Sequence, residues 1–493
     1  MELERVMESI LPLVMLIVPF FIGSLCLSTY PFRYLDPFLT KVKGHKIILV
    51  FGTGLTLAIV SSMIPLVLSG EGLQTPWLSL QVDLSNIAAL VAVAAIFFLA
   101  SIYTWKADKE GRLKPSFYNF FVFVFLFCML GLLTIFDLFV IFLLVELLIG
   151  VSIILVVHAP GKLSPEASFK YLIITAVSAL FVLTATLLIY MTTGTSNLLE
   201  IANSPGILAE NARIVLIIVV LLVAGVGADI GLVPFHGWLP DVFPASTPVV
   251  NIFFCAEPIA LILTLYKVVS PFYEIYPSTI IVLVMAGVGV ASMVFGSLLA
   301  YTQKDALHMI AYISIDTFGT ALLALGLFTP LGSIAGQIYI INGALMKTGI
   351  LLCLGSVYIR TGIRNMNLLG GLYGKMKKTA LTYLICILSL VGIPPLSGFY
   401  AKWLIFNSVY YSLLPQMGVL ISIAALVLLV GFSIIPFIIL MRSFNRIFLG
   451  TSTIDIATDE VDRSMWLPGA VLAGVAVLIG VLPGLLLGLT YPI

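Results

Sequence analysis

The stretch ARIVLIIVVLLVAGVGADIGLVPFHGWLPD, residues 212–241, reads as a membrane span that breaks before it is finished. From Ile214 to Ala228 every residue is apolar or glycine. A helix that is hydrophobic all round is buried, in a large core or in lipid. Asp229 interrupts the run, and Pro234 then removes a backbone donor and crowds the preceding turn. At membrane depth such irregular backbone survives only where protein encloses it or where it lines water. The stretch therefore places a polar site inside a membrane.

The rest of the chain asks for the same solvent. Its 493 residues are 61% hydrophobic and 10% charged, with a net charge of +1 and a mean hydropathy of +1.18. Soluble domains carry about 25% charged residues, so most of this surface meets lipid. The balanced charge offers no basic patch to nucleic acid. Cys26, Cys128, Cys255, Cys353 and Cys386 lie scattered in apolar runs without a Cys-x-x-Cys pair. No iron–sulfur cluster, zinc site or disulfide framework is expected, and no cofactor in this chain. The opening MELER lacks a basic n-region and a small-residue cleavage site, which predicts a retained first span rather than a signal peptide.

A span takes about 20 apolar residues. Such runs fall at roughly 9–29, 46–69, 83–105, 117–136, 137–158, 168–192, 212–235, 245–269, 277–300, 306–328, 332–358, 379–412, 417–441 and 465–489. The expected fold is all-α and integral to the membrane, with about 14 transmembrane helices, because lipid offers the backbone no other partner. Basic residues orient it. Arg33, Lys41, Lys43 and Lys46 follow span 1; Lys106, Lys109, Arg112 and Lys114 follow span 3; Lys162 and Lys170 follow span 5. Lys304 follows span 9, Arg360, Arg364, Lys375, Lys377 and Lys378 follow span 11, and Arg442, Arg446 and Arg463 follow span 13. Only Arg5, Arg213 and Lys267 fall on the other side. The bias predicts a multi-pass protein of the cell (inner or plasma) membrane, with these loops in the cytoplasm and both termini outside.

A second break occurs in span 12, VGIPPLSGFYAKW (391–403), at Pro394 and Pro395. Paired broken helices in the two halves of a chain point to an inverted-repeat transporter. Spans 4–8 and 9–13 then form two inverted five-helix repeats, with broken helices 7 and 12 as counterparts. Tyr171 to Gly194 and Tyr339 to Gly362 share one spacing, each ending in Thr-Gly. The expected organisation is residues 1–116 (spans 1–3), 117–270 (first repeat), 271–441 (second repeat) and 442–493 (a cytoplasmic loop and span 14).

A charge at the bilayer centre costs about 2.5–3.5 kcal/mol on insertion scales, so charges there face protein or water. Glu146 sits mid-span in IFLLVELLIG, Asp229 at the first break, and Glu257 in NIFFCAEPIAL. Asp316 lies in AYISIDTFG, Lys347 in NGALMKTGI, and Lys402 just after the second break. Lys170, His236 and His308 lie nearer the cytoplasmic ends. Each has a plainer reading. Glu146 and Lys347 could serve a structural ion pair, Asp229 could be solvated in the break, and Glu257 could satisfy donors around Pro258. His236 and Asp241 could cap a helix end, and Lys170 and His308 could snorkel to the interface. The functional reading is an ion pathway: a lysine beside a carboxylate is charged, and it can release its proton when that influence is withdrawn.

The segments VPFHGWLPD (233–241), TPV (247–249), QKDALHMIAYIS (303–314), ALMK (344–347), LGGLYGKM (369–376) and GIPPLSGFYAKW (392–403) carry a resemblance. With them the sequence resembles the antiporter-like membrane subunits of respiratory complex I, Mrp-type cation/proton antiporters, and membrane-bound hydrogenase and sulfane reductase complexes. The resemblance covers nearly the whole chain and implies the fold set out above. It implies that Glu146 matches the span 5 glutamate that modulates a span 7 lysine, that Lys347 lies on the central hydrophilic axis, and that Lys402 is the terminal lysine of span 12. The sequence also departs from the family. Its span 7 lysine falls on Asp229, and its span 8 lysine on an apolar residue near Ile259, close to Glu257. A common histidine is Thr317, beside Asp316, and the histidine before ALMK is Gly343.

Two neighbouring carboxylates cannot both ionise cheaply. The first repeat is therefore expected to hold protons, to bind sodium with Asp229 and Glu146 (or to have them neutralised by Lys170), or to be inactive. The expected function is a proton- or sodium-translocating subunit of a larger complex. Its partners would be other membrane subunits, protons, sodium ions and lipid, and no nucleic acid. With no redox motif, P-loop or dinucleotide fingerprint, energy is expected from partner subunits or another ion gradient. The chain ends after span 14, so the long lateral helix of the family's largest member is not expected. The alternatives are a stand-alone solute transporter and a structural subunit whose first repeat does not conduct.

Overall fold

The computed structural model describes residues 2–28, 44–69, 72–75, 79–107, 113–203, 208, 211–451, 459–484 and 488. Of the orienting residues, Arg33, Lys41, Lys43, Lys109 and Arg112 lie outside them. The order begins α1 (Glu2–Ser28), α2 (Gly44–Ser62), α3 (Ile64–Leu68), β1 (Leu73–Thr75), β2 (Leu80–Val82) and α4 (Ile87–Ala107). It continues α5 (Pro115–Thr134), α6 (Leu138–Val157), α7 (Ser164–Thr193), α8 (Leu198–Asn203) and α9 (Ala212–Ile230). The short α10 (Leu239–Ala245) precedes α11 (Pro248–Ile275), α12 (Thr279–Tyr301), α13 (Ala306–Leu325) and α14 (Pro330–Thr361). Last come α15 (Lys377–Val391), α16 (Ser397–Phe444) and α17 (Arg463–Val481). β1 and β2 pair antiparallel, Leu73 opposite Val82.

Among the described residues, 13 helical segments are long and apolar enough to cross a membrane. The fourteenth expected span is the broken one. Span 12 is divided between α15, 15 residues long, and the first part of α16, which is itself two helices joined at a kink where Gly418 has φ 79° and ψ 171°. The chain leaves the helix between the two pieces, at the expected break.

Both breaks use the same backbone. α9 ends on Gly231 at φ 85° and α15 on Gly392 at φ 90°, a left-handed conformation that glycine adopts without a Cβ penalty. A cis Val233–Pro234 bond follows the first and a cis Pro394–Pro395 bond the second. Gly392 and Pro395 lie 161 positions after Gly231 and Pro234 (231 to 392, 234 to 395). The entries to the two halves also repeat. Asp137 bridges to Asn197 and Asp305 to Asn365, 168 positions on (137 to 305, 197 to 365). Each aspartate accepts from the first turn of its helix, Asp137 from Val140 N at 2.9 Å and Asp305 from Leu307 N at 2.8 Å. These N-caps satisfy donors that have no partner inside the helix.

Burial sorts the helices into layers. The most apolar windows of α11 and α14 are each 94% buried, against 22% for the segment Gly418–Leu449. α11 and α14 therefore form the core, and they pack on each other. α12 and α13 make the closest pair. A Cβ on Gly296 would stand 2.5 Å from Asp316 N, so these backbones touch where small residues permit it.

Candidate functional site

In the first half, three acids come from three helices. Glu146 projects from the middle of α6, Asp229 from the last turn of α9 and Glu257 from α11. Asp229 is 1% exposed, and neither of its carboxylate oxygens has a hydrogen-bond partner. It lies within electrostatic reach of both Glu146 and Glu257. Glu257 is buried, and the Tyr171 hydroxyl donates to its Oε1 at 3.5 Å. One oxygen of Glu146 is likewise buried without a partner. Among the described residues, no three acids, histidines or cysteines gather about a single point.

The break after α9 is fastened beside them. The Trp238 indole N–H donates to the Ala228 carbonyl at 2.9 Å, and its ring stacks on Tyr171 with centroids 4.1 Å apart. Tyr171 thus touches both the broken segment and Glu257. The Ser178 hydroxyl donates to the Gly225 carbonyl at 2.8 Å and ties α7 to α9 one turn above Asp229.

Lys170 does not reach these acids. Its ammonium is paired with Asp241 at 2.9 Å and Glu166 at 3.0 Å, and half its side chain is exposed. It lies at the surface with Asp241, the snorkelling arrangement. His236 sits half-buried in the short turn His236–Trp238, its Nδ1 without a partner. Burial holds that imidazole below its ordinary range, against a hydrogen bond with the Pro234 backbone. His308 lies 3.5 Å from Asp305, at the start of α13.

In the second half the charges alternate. Asp316 of α13 lies within electrostatic reach of both Lys402 of α16 and Lys347 of α14. Lys347 is fully buried and its Nζ has no hydrogen-bond partner; it lies 4.1 Å from the centre of the Phe318 ring. Lys402 is 7% exposed, its stem against Gly392 of the break. The Ser297 hydroxyl donates to Asp316 Oδ1 at 2.8 Å. Across the break, Ser389 and Ser397 hydroxyls are 2.9 Å apart, and Ser397 donates to Asn342 Oδ1 at 2.6 Å. This bond fixes the break to α14 five residues before Lys347. Lys347 also reaches Cys255, two residues before Glu257 on α11, so one helix borders both charge groups.

The sequence reading singled out the acids and lysines but not Tyr171, Trp238, Cys255, Asn342 or Ser397. Trp238 and Ser397 stood inside the quoted break motifs, but their partners are distant in sequence and carried no signal.

The comparisons agree with this architecture. The family described as NADH:quinone oxidoreductase/Mrp antiporter, transmembrane, matches residues 136–433, which contain both breaks and the six acids and lysines of the two charge groups. A subunit N of NADH-quinone oxidoreductase from Desulforudis audaxviator is 29% identical over 342 residues, 68% of this chain and 67% of that one. The matches span about half to two thirds of the length of the curated relatives. Among solved structures, a chain of the Mrp complex from Dietzia sp. has a TM-score of 0.85 at 22% identity, covering 98% of this chain and 96% of its own. A chain of the archaeal membrane-bound sulfane sulfur reductase has a TM-score of 0.83 at 23% identity, covering 99% and 96%. Because the family match takes in more than half of the sequence, the chain belongs to the NADH:quinone oxidoreductase/Mrp antiporter family, as a multi-pass, antiporter-like membrane subunit.

Proposed function

We propose that this chain translocates protons as one subunit of a larger complex in the plasma membrane. The observation that carries the reading is the buried sequence Lys347–Asp316–Lys402, which ends at a helix break. An ammonium group carries a proton and cannot ligate a sodium ion. The anion between two lysines favours their charged forms, so a small change in its distance from either one alters how firmly that lysine holds its proton. Coupling of this kind needs no redox group in the chain. The power comes from partner subunits, in keeping with relatives named as subunits of NADH-quinone oxidoreductase.

The first half works with acids alone. Asp229 is within electrostatic reach of Glu146 and of Glu257, and none of the three has a lysine in ion-pair contact among the described residues. Three neighbouring carboxyls in a buried site share protons rather than all carrying charge, and a carboxyl can pass a proton on. Among the described residues no three of these acids gather as cation ligands would, which favours protons over a sodium ion. The basic loops support an orientation with both termini on the outer side.

The test is proton transport by the intact complex reconstituted in vesicles, comparing the parent with Lys402→Ala and Asp229→Ala. Loss of transport on removing Lys402 supports the second half as a conducting path. A loss on removing Asp229 extends conduction to the acid half. Parental rates in both fully assembled variants would make the chain a scaffold.

A further inference from the structure

Lys267 is a buried-side cation that the relay above does not use. It lies near the end of α11, on the wall of a cavity of about 330 Å³. Its ammonium donates to the Leu132 carbonyl at 2.7 Å and the Ile135 carbonyl at 2.6 Å, and it sits 4.8 Å from the centre of the Phe136 ring. The two carbonyls close the C-terminal end of α5, where helix acceptors lack partners and the dipole is negative. Asp83 and Glu274 stand on other parts of the same wall. The cavity is roomy enough for several water molecules, and Gln81, Asp83, Asn86, Lys267, Glu274 and Gln337 supply polar groups along its wall.

Its place in the fold is informative. It is bounded by the hairpin end at Gln81, the end of α5, the end of α11 and the start of α14 at Gln337. All of these lie on the face opposite the loops that carry Lys304 and Arg360. A second polar group lies close to Gln337 on the same helix. Tyr339, two residues along α14, is buried beside Thr320 and lies within electrostatic reach of Asp316. Thr320 in turn donates to the Asp316 backbone carbonyl at 2.9 Å.

We propose that this cavity is the port through which the Lys347–Asp316–Lys402 relay exchanges protons with the aqueous phase opposite the basic loops, with Lys267 handing the proton across. The proposal rests on the proton-translocating reading above. In each cycle the Lys267 ammonium gives one proton to cavity water, and the resulting amine takes one from the relay side through water at Gln337 and Tyr339. Asp83 and Glu274 receive and return protons at the mouth.

A lysine that merely caps α5 can be replaced by arginine, which supplies the same charge and more donors. A lysine that must let go of its proton cannot, because arginine stays protonated. The experiment uses the intact complex in vesicles with Lys267→Arg, Lys267→Met and Gln337→Cys. The last is treated with a membrane-impermeant, charged thiol reagent from each side, and the parent serves as control, its five cysteines being buried. Both Lys267 variants are expected to assemble and to transport at less than about a tenth of the parental rate. Gln337→Cys is expected to transport until the reagent reaches it from the face opposite the basic loops, and then to stop.

Parental transport by Lys267→Arg would reduce Lys267 to a helix cap, and parental transport by labelled Gln337→Cys would take the cavity off the route. Lys402→Ala separates the two ideas. If it abolishes transport while the cavity variants run at the parental rate, only the port is wrong; if it too runs at the parental rate, the proton relay itself falls.

Discussion

Asp316→Asn tests the alternation of charge most directly. Asp316 is 5% exposed and stands between Lys347, fully buried, and Lys402, 7% exposed. The amide keeps the shape of the carboxylate and can still accept the Ser297 hydroxyl bond, now 2.8 Å. What disappears is the anion. Taking a separation of about 6 Å and an effective dielectric of about 20, each lysine loses about 3 kcal/mol of attraction. At about 1.4 kcal/mol per factor of ten, that is a loss of roughly a hundredfold in the stability of the charged intermediate. Removing one partner of a buried ion pair costs about 3–5 kcal/mol in folding free energy, the same order, so assembly is measured alongside function. The assay is the initial rate of proton uptake by vesicles bearing the complex, normalised to assembled chain, for the parent, Asp316→Asn and Asp316→Glu. The asparagine variant is expected to fall by ten- to a hundredfold, and the glutamate to retain most of the rate. An assembled Asp316→Asn complex pumping at the parental rate would falsify the claim that this anion couples the two lysines.

Gly398→Ala should prevent assembly: its Cβ would fall on the Ser389 carbonyl oxygen at the second break, an overlap of backbone that no rotamer relieves. Recovery of the subunit with its partners from membranes measures this, and parental yield would mean that the break is looser than described. Asp305→Ala should cost about 1 kcal/mol through loss of an N-cap, read as a lower melting temperature of the purified complex. Burial pushes the Asp305 carboxyl up, but hydrogen bonds from His308 and the Leu307 and His308 amides outweigh it and hold the group below its ordinary value of 3.8. The cap's contribution is therefore complete above that value and is lost as pH falls through the lower folded value. The gap between parent and variant should close in that acidic range and stay constant from pH 5 to 8.

The spans and both breaks were legible because lipid imposes a one-dimensional rule: long apolar runs are helices, and Pro beside Gly ends them. Span 12, expected as a broken helix over residues 379–412, is α15 and the first part of α16, with the interruption at Pro394 and Pro395. Of the site, Asp229, Glu257, Asp316, Lys347 and Lys402 could be picked out because a charge in an apolar run is conspicuous, and they lie buried. Lys170 was less well placed. Glu166 four residues earlier already offered it a surface partner of the spacing that helices favour. Lys267 looked like an orientation marker near a span end. Its partners Leu132 and Ile135 lie more than a hundred residues away, and a backbone carbonyl leaves no trace in composition.

The backbone repeats where the chemistry does not, and the reason is physical. To stop a helix inside a membrane, the chain needs a residue that tolerates a left-handed conformation and one that cannot donate, and both halves meet that need with glycine and proline at matching positions. No comparable demand fixes the side chain seven places beyond the proline. In the second half that position is Lys402, buried beside Asp316; in the first it is Asp241, at the surface and paired with Lys170. Conversely Asp229, just before the first break, corresponds to Leu390, just before the second. One frame thus carries acids without bases in one half and two bases about an acid in the other. Cys255 and Glu257 on α11 stand at the boundary, the first facing Lys347 and the second facing Asp229. The groups on one side of that boundary are neutral when protonated, and the lysines on the other are charged when protonated. The two halves therefore respond in opposite senses to a change in local polarity: drying a carboxyl favours the loaded form, and drying an amine favours the empty one.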